Sequence, residues 1–99
     1  MQDPKSIKQK LKEEINEASW NMILDHQKNE AVIWASPELD LVEVGYCIAV
    51  DDTDTIKSWM SKDLVHKPNT EQIDLWQKTE KRFQFLILQP FVVIQEVLH

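Results

Sequence analysis

The sequence holds a single glycine, Gly45, a single cysteine, Cys47, and four prolines in 99 residues. With one glycine there is no glycine-rich phosphate loop and no Gly-x-Ser-x-Gly nucleophile elbow, since both need glycines at fixed spacing. One cysteine excludes an internal disulfide, and residues 1–30 carry no continuous apolar segment of the secretory kind. A reducing, cytoplasmic setting is therefore expected. His26, His66 and His99 are scattered, with no His-Glu-x-x-His and no Cys-x-x-Cys, so no zinc site is expected. The most apolar stretch, residues 85–94, is interrupted by Gln89 and Pro90 and is far shorter than the ~20 residues of a membrane helix. Basic residues are outnumbered, 11 Lys and Arg against 17 Asp and Glu, for a net charge of -6. That charge repels phosphate, so nucleic-acid binding is not expected.

The scarce positive charge is concentrated at the start, where Lys5, Lys8, Lys10 and Lys12 oppose Asp3 alone. Glu13, Glu14 and Glu17 follow at once, and Lys10 and Glu14 stand four apart. A solvated helix face with local ion pairs accounts for this better than a membrane-binding surface.

Hydrophobic residues make up 42% of the chain and include Trp20, Trp34, Trp59 and Trp76. A chain of this length and content forms one domain with a substantial core. Ile7, Leu11, Ile15, Ala18 and Met22 recur at spacings of three and four, which predicts an amphipathic helix with a break or a restart near Ser19. Ala31-Val-Ile-Trp-Ala35 reads as a short buried strand. Ser36 before Pro37, with Glu38 and Asp40 behind, predicts a helix from Pro37 to about Val50 with Ser36 as its cap. That helix is apolar nearly all round and hence central, and Gly45 would admit a close neighbour. A short helix capped by Asp52, Thr53 or Asp54 carries Ile56, Trp59 and Met60 and ends near Lys62. After the turn at Lys67-Pro68-Asn69, Asn69 or Thr70 caps a helix burying Ile73 and Trp76. From Phe83 the pattern becomes that of strands, at 83–88 and, beyond an interruption or bulge at Pro90, at 91–97. The fold class expected is α+β, four or so helices on a small sheet built from 31–35 and 83–97; a mostly α fold is the alternative.

With these elements placed, the chain resembles a family of small bacterial proteins classified as a domain of unknown function. The likeness rests on Leu39-Asp-Leu-Val-Glu-Val-Gly45, on Ile48-Ala-Val-Asp-Asp-Thr53, on Trp59 with Lys67-Pro68-Asn69-Thr70 and Trp76, and on Phe83-Gln-Phe-Leu-Ile-Leu-Gln-Pro-Phe-Val-Val-Ile-Gln-Glu96. It spans roughly the last four fifths of the chain and leaves the basic opening without a family pattern. The resemblance implies a cytoplasmic bacterial origin and nothing about activity.

Few side chains point to chemistry. Asp51, Asp52 and Asp54 cluster where two helices meet, as ligands of a hard cation do; helix capping explains them better, since no calcium-loop spacing with its glycine and distal glutamate is present. Cys47 has no base beside it in sequence and reads as a core residue. Gln84, Gln89 and Gln95 interrupt the C-terminal apolar run, and a buried glutamine next to Pro90 would satisfy backbone groups left without a ladder partner. No catalytic residue, metal ligand or cofactor is assigned.

Two functional readings follow. The leading one is a noncatalytic assembly or protein-interaction module. If 83–88 is a strand, Phe83, Phe85 and Ile87 face one way and Gln84, Leu86 and Leu88 the other. Both faces are then largely apolar, and one chain of this length leaves few helices to cover the second. Self-association through Leu86, Leu88, Phe91, Val92 and Ile94 is therefore expected, most simply as a two-fold homodimer, with an unidentified protein partner as a further possibility. The alternative has 91–98 as a helix folded back over the sheet. The rival function is an enzyme or ligand-binding protein with a pocket lined by Trp34, Tyr46, Trp59 and Trp76. A cavity with Asp52 or His66 at its mouth favours that rival; a filled core with an apolar outer sheet favours assembly.

Overall fold

The computed structural model describes residues 4–26, 31–89 and 91–97. In chain order the elements are α1 (Pro4–Glu14), β1 (Asn16–Ser19), α2 (Trp20–His26), β2 (Val32–Ala35), α3 (Leu41–Ala49), α4 (Thr53–Ser61), β3 (Val65–His66), α5 (Thr70–Thr79), β4 (Arg82–Leu88) and β5 (Phe91–Glu96). The strands make one open sheet in the order β1-β4-β5-β2-β3. All neighbours are antiparallel except β2 and β5, which run parallel. The fold is α+β, and the mostly helical alternative falls. Residues 91–96 are strand, which also removes the fold-back helix. The expectations for Pro90, His99 and the imidazole of His26 lie outside the described residues.

The alternation of β4 and β5 does give the sheet two apolar faces, and this chain covers both. On one face Trp20, Ile23 and Trp76, from α2 and α5, pack on Ala18, Val32, Phe83, Val92 and Ile94. On the other, Leu11, Leu41 and Val44, from α1 and α3, pack on Ala35, Val65, Leu86 and Val93, with Trp59 of α4 alongside. The premise of an uncovered face is thus corrected. Leu86 and Ile94 are 0% exposed and Val92 1%, so all three belong to the core. Leu88 is half-buried, and only Phe91, at 38%, reaches the surface.

The physical reason lies in the first apolar stripe. It is not one helix: Asn16–Ser19 pairs with Arg82–Phe85 as an edge strand, which puts α1 on one face of the sheet and α2 on the other. The break expected near Ser19 is present, but a strand fills it, and Ser19 Oγ accepts the N–H of Met22 at 3.4 Å as α2 begins. Ala18 then becomes a core strand residue, while Met22 ends up exposed.

The start of the central helix also differs. Asp40, not Ser36, caps α3, its carboxylate accepting the N–H of Val42 at 2.9 Å. Ser36 Oγ accepts from the N–H of Glu38 at 3.2 Å and belongs to a turn that precedes the helix. That turn is held by Gln95, a buried residue of β5, whose amide donates to the carbonyls of Ser36 (2.9 Å) and Leu39 and whose Oε1 accepts from Gln84 at 2.6 Å. The buried glutamine expected beside Pro90 is therefore Gln95; Gln89 is an exposed turn residue. Asp40→Ala is expected to cost about 1 kcal/mol, seen as a lower urea midpoint, and Ser36→Ala clearly less. Equal losses from the two would restore Ser36 as a cap.

The other caps follow the expected choices. Asp52 caps α4, and Asn69 caps α5 in a reciprocal box with Gln72, the two bonds being 2.8 and 3.1 Å. Gly45 does admit a close neighbour: a Cβ there would lie 2.9 Å from Leu86 Cδ1, so α3 presses directly onto β4.

Candidate functional site

Where α3 hands over to α4 the chain turns through Asp51, whose φ of 59° is left-handed and for which aspartate is among the more tolerant residues. The turn closes with Asp52 N–H donating to the Cys47 carbonyl at 2.8 Å. At the far end of α4, Leu64 N–H donates to the Trp59 carbonyl at 2.8 Å and leads the chain into β3. Helix α4 buries no residue fully, so it leans on the sheet without filling the space beneath it.

The result is a cleft of about 270 Å³ whose walls include Ile33 of β2, Ile48 of α3, Ile56 and Trp59 of α4, and Phe91 of β5. Val44 and Val65, both buried, also line it. Asp51 and Lys67, both exposed, lie at its edges. His66 also lines it, but its ring stacks on Trp34 with centroids 4.6 Å apart, its Nδ1 lies 2.9 Å from the Lys67 carbonyl, and its Nε2 lies 3.8 Å from Asp63. The imidazole is thus held by its own neighbours.

The pocket expected from four aromatic residues is not assembled. Trp59 alone lines the cleft. Trp76 is in the core of the opposite face, edge-on to Trp20 at 5.0 Å and to Phe83 at 4.8 Å. Trp34 shares that opposite face and donates to Glu96 at 3.3 Å. Tyr46 lies on the seam with α1, under the Lys8 ammonium at 4.9 Å from the ring centre. Spacing in sequence could not show this, because the face a tryptophan takes depends on strand order. The cleft's aliphatic wall was legible only as core.

A larger concavity, about 590 Å³, lies along α1 and is lined by Lys5, Lys8 and Lys12 with Asp40, Gln84 and Gln95. Several of its polar groups are engaged: Lys8 holds Glu43 at 2.6 Å, which keeps the ammonium pKa above its usual value, Asp40 caps α3, and Gln95 pins the turn. A third groove, about 300 Å³, lies beside β1 and is lined by Ala18, Met22, Ile23, Phe85, Ile87 and Val92 along with Asn16 and Glu17.

Of the aspartate cluster, Asp52 has both oxygens occupied, Oδ1 by the Thr55 N–H at 3.3 Å and Oδ2 by the Thr55 hydroxyl at 2.8 Å. Among the described residues no three His, Cys, Asp or Glu side chains are grouped to hold a metal ion. Cys47 is buried, with its Sγ 4.0 Å from Asp52 Oδ2. Burial first, and then the negative charges of Asp52 and Glu43, push its pKa above the ordinary thiol value. The native thiol therefore stays protonated through neutral pH and is a poor nucleophile. Iodoacetamide at pH 8 is expected to label Cys47 many times more slowly in the native chain than in urea, followed by mass spectrometry. Equal rates would mean the thiol is not buried.

The family described as Protein of unknown function (DUF2288) matches residues 6–96. The chain belongs to that family. The DUF2288 match begins at Ser6, so most of the basic opening lies within the family's extent after all. The solution NMR structure of PA1075 from Pseudomonas aeruginosa is similar in fold, with a TM-score of 0.75 and 25% identity over 95% of this chain and 87% of that one. No curated protein matches the chain. Membership of DUF2288 brings no activity with it, so function has to be argued from the clefts. Among the described residues no helix is long and apolar enough to cross a membrane.

Proposed function

We propose that this chain is a noncatalytic binding domain of the bacterial cytoplasm that takes one small, largely apolar molecule in the cleft beneath α4. The supporting observation is the cleft itself: Ile33, Ile48, Ile56 and Trp59 stand around open space in a domain whose sheet is otherwise covered on both faces. Ligand pockets are mostly apolar with a few polar groups, and about 270 Å³ is at the small end of their range. The setting is supported by the bacterial source of the structural neighbour and by a lone, buried thiol.

Indole, a neutral aromatic probe, tests this reading. In heteronuclear NMR, millimolar indole is expected to shift the Trp59 Nε1–H signal and leave those of Trp20 and Trp76 in place. If Trp59 stays still, the cleft does not bind.

The self-association expected from the sequence keeps one foothold, at a different place. Met22 is 54% exposed and Ile87 46%, both at the groove beside β1. Among the described strands β1 is an edge of the sheet, and such edges accept a further strand. A second copy pairing antiparallel about residues 17 and 18 sets no like charges opposite. Light scattering at micromolar concentration is expected to give a dimer for the unmodified chain and a folded monomer for Ile87→Lys; a monomer in both cases would end this reading.

A further inference from the structure

Resting on the cleft as a binding site, we propose that its ligand is a free α-amino acid with an apolar side chain, the side chain entering the cleft, the ammonium meeting Asp51 and the carboxylate meeting Lys67. The cleft presents one charge of each sign, Asp51 at the α3–α4 turn and Lys67 after β3. Most charged groups near the sheet are already engaged: Lys8 with Glu43, Lys81 with Glu96, Arg82 with Glu17, Asp40 and Asp52 as caps. Among the described residues the side chains of Asp51 and Lys67 have no ion-pair or hydrogen-bond partner.

The sign pattern selects the ligand class. A neutral hydrocarbon uses neither charge. A simple carboxylate gains Lys67 but is opposed by Asp51, and a simple amine meets the reverse, since like charges at short range disfavour binding as opposite ones favour it. A zwitterion with one short apolar branch satisfies both ends and the wall. Its size is bounded by the cleft volume of about 270 Å³, which suits one amino acid and not a peptide of several residues.

Titration calorimetry with L-phenylalanine, phenethylamine, 3-phenylpropionate and indole tests the assignment, because the four share an aromatic ring and differ in charge. L-Phenylalanine is expected to bind about fivefold or more tightly than either singly charged analogue, the scale of an exposed ion pair near 1 kcal/mol. Asp51→Asn is expected to remove its advantage over 3-phenylpropionate, and Lys67→Gln its advantage over phenethylamine. Both positions are exposed, and circular dichroism checks that the variants remain folded. Equal binding of all four, with the Trp59 signal shifting, would overturn the amino-acid assignment and leave the cleft standing. No binding by any of them would overturn the cleft as well.

Discussion

Replacing Val92 by aspartate is expected to unfold the chain. Val92 is 1% exposed, beside Val32 on one side and Ile87 on the other in the middle of the sheet. No cation is described next to it, and an unpaired carboxylate there must either protonate or stay charged in hydrocarbon, at a cost of several kcal/mol. A domain of this size is stable by only about 5–15 kcal/mol, so loss of the native far-ultraviolet circular dichroism and of amide dispersion at 25 °C is the expected reading. Leu88→Lys should be milder, because Leu88 is half-buried and a lysine stem can run along the surface with its ammonium in water. The two variants distinguish a covered sheet from a shared one. A folded Val92→Asp chain of half the unmodified mass in light scattering would show that Val92 lies between two copies.

Phe83→Ala is expected to cost about 3–5 kcal/mol, measured as the loss in unfolding free energy by urea. Its ring is 0% exposed and lies 4.8 Å from Trp76 and 6.0 Å from Trp20, edge-on to both. Truncation removes the transfer free energy of the ring and opens a cavity between two tryptophans too large to collapse around it. The site is also under-satisfied already. Trp20 Nε1–H is a buried donor without a hydrogen-bond partner among the described residues, so the packing around it carries an unmet polar cost. A loss below about 1 kcal/mol would mean that this cluster does not carry the core.

Much of the architecture was legible in local patterns because it is set by local physics. The strand at 31–35, the α5 cap at Asn69 and the extended segments on either side of Pro90 each depend on a few adjacent residues. The misreadings arose where distant residues decide. Asn16–Ser19 carries apolar residues at helical spacing, and only the neighbouring Arg82–Phe85 turns it into strand. Ser36 has every local feature of a helix cap, and it is Gln95, far along the chain, that holds Ser36–Leu39 as a turn and delays the helix to Asp40. Two apolar faces on β4 and β5 were read correctly; their cover was not, because it required knowing that β1 sends α1 and α2 to opposite sides. The cleft was hidden for the same reason. Its wall comes from five separate elements, each of which reads singly as ordinary core.

Two concavities with apolar walls stand on opposite faces of this sheet, one beneath α4 and one beside β1, and ligand binding is proposed for the first. Intermolecular nuclear Overhauser effects from bound indole to assigned methyl groups decide between them. Contacts to Ile33, Ile48 and Ile56, and none to Met22, Ile23 or Ile87, are expected. Contacts confined to Met22, Ile23 and Ile87 would contradict the proposal.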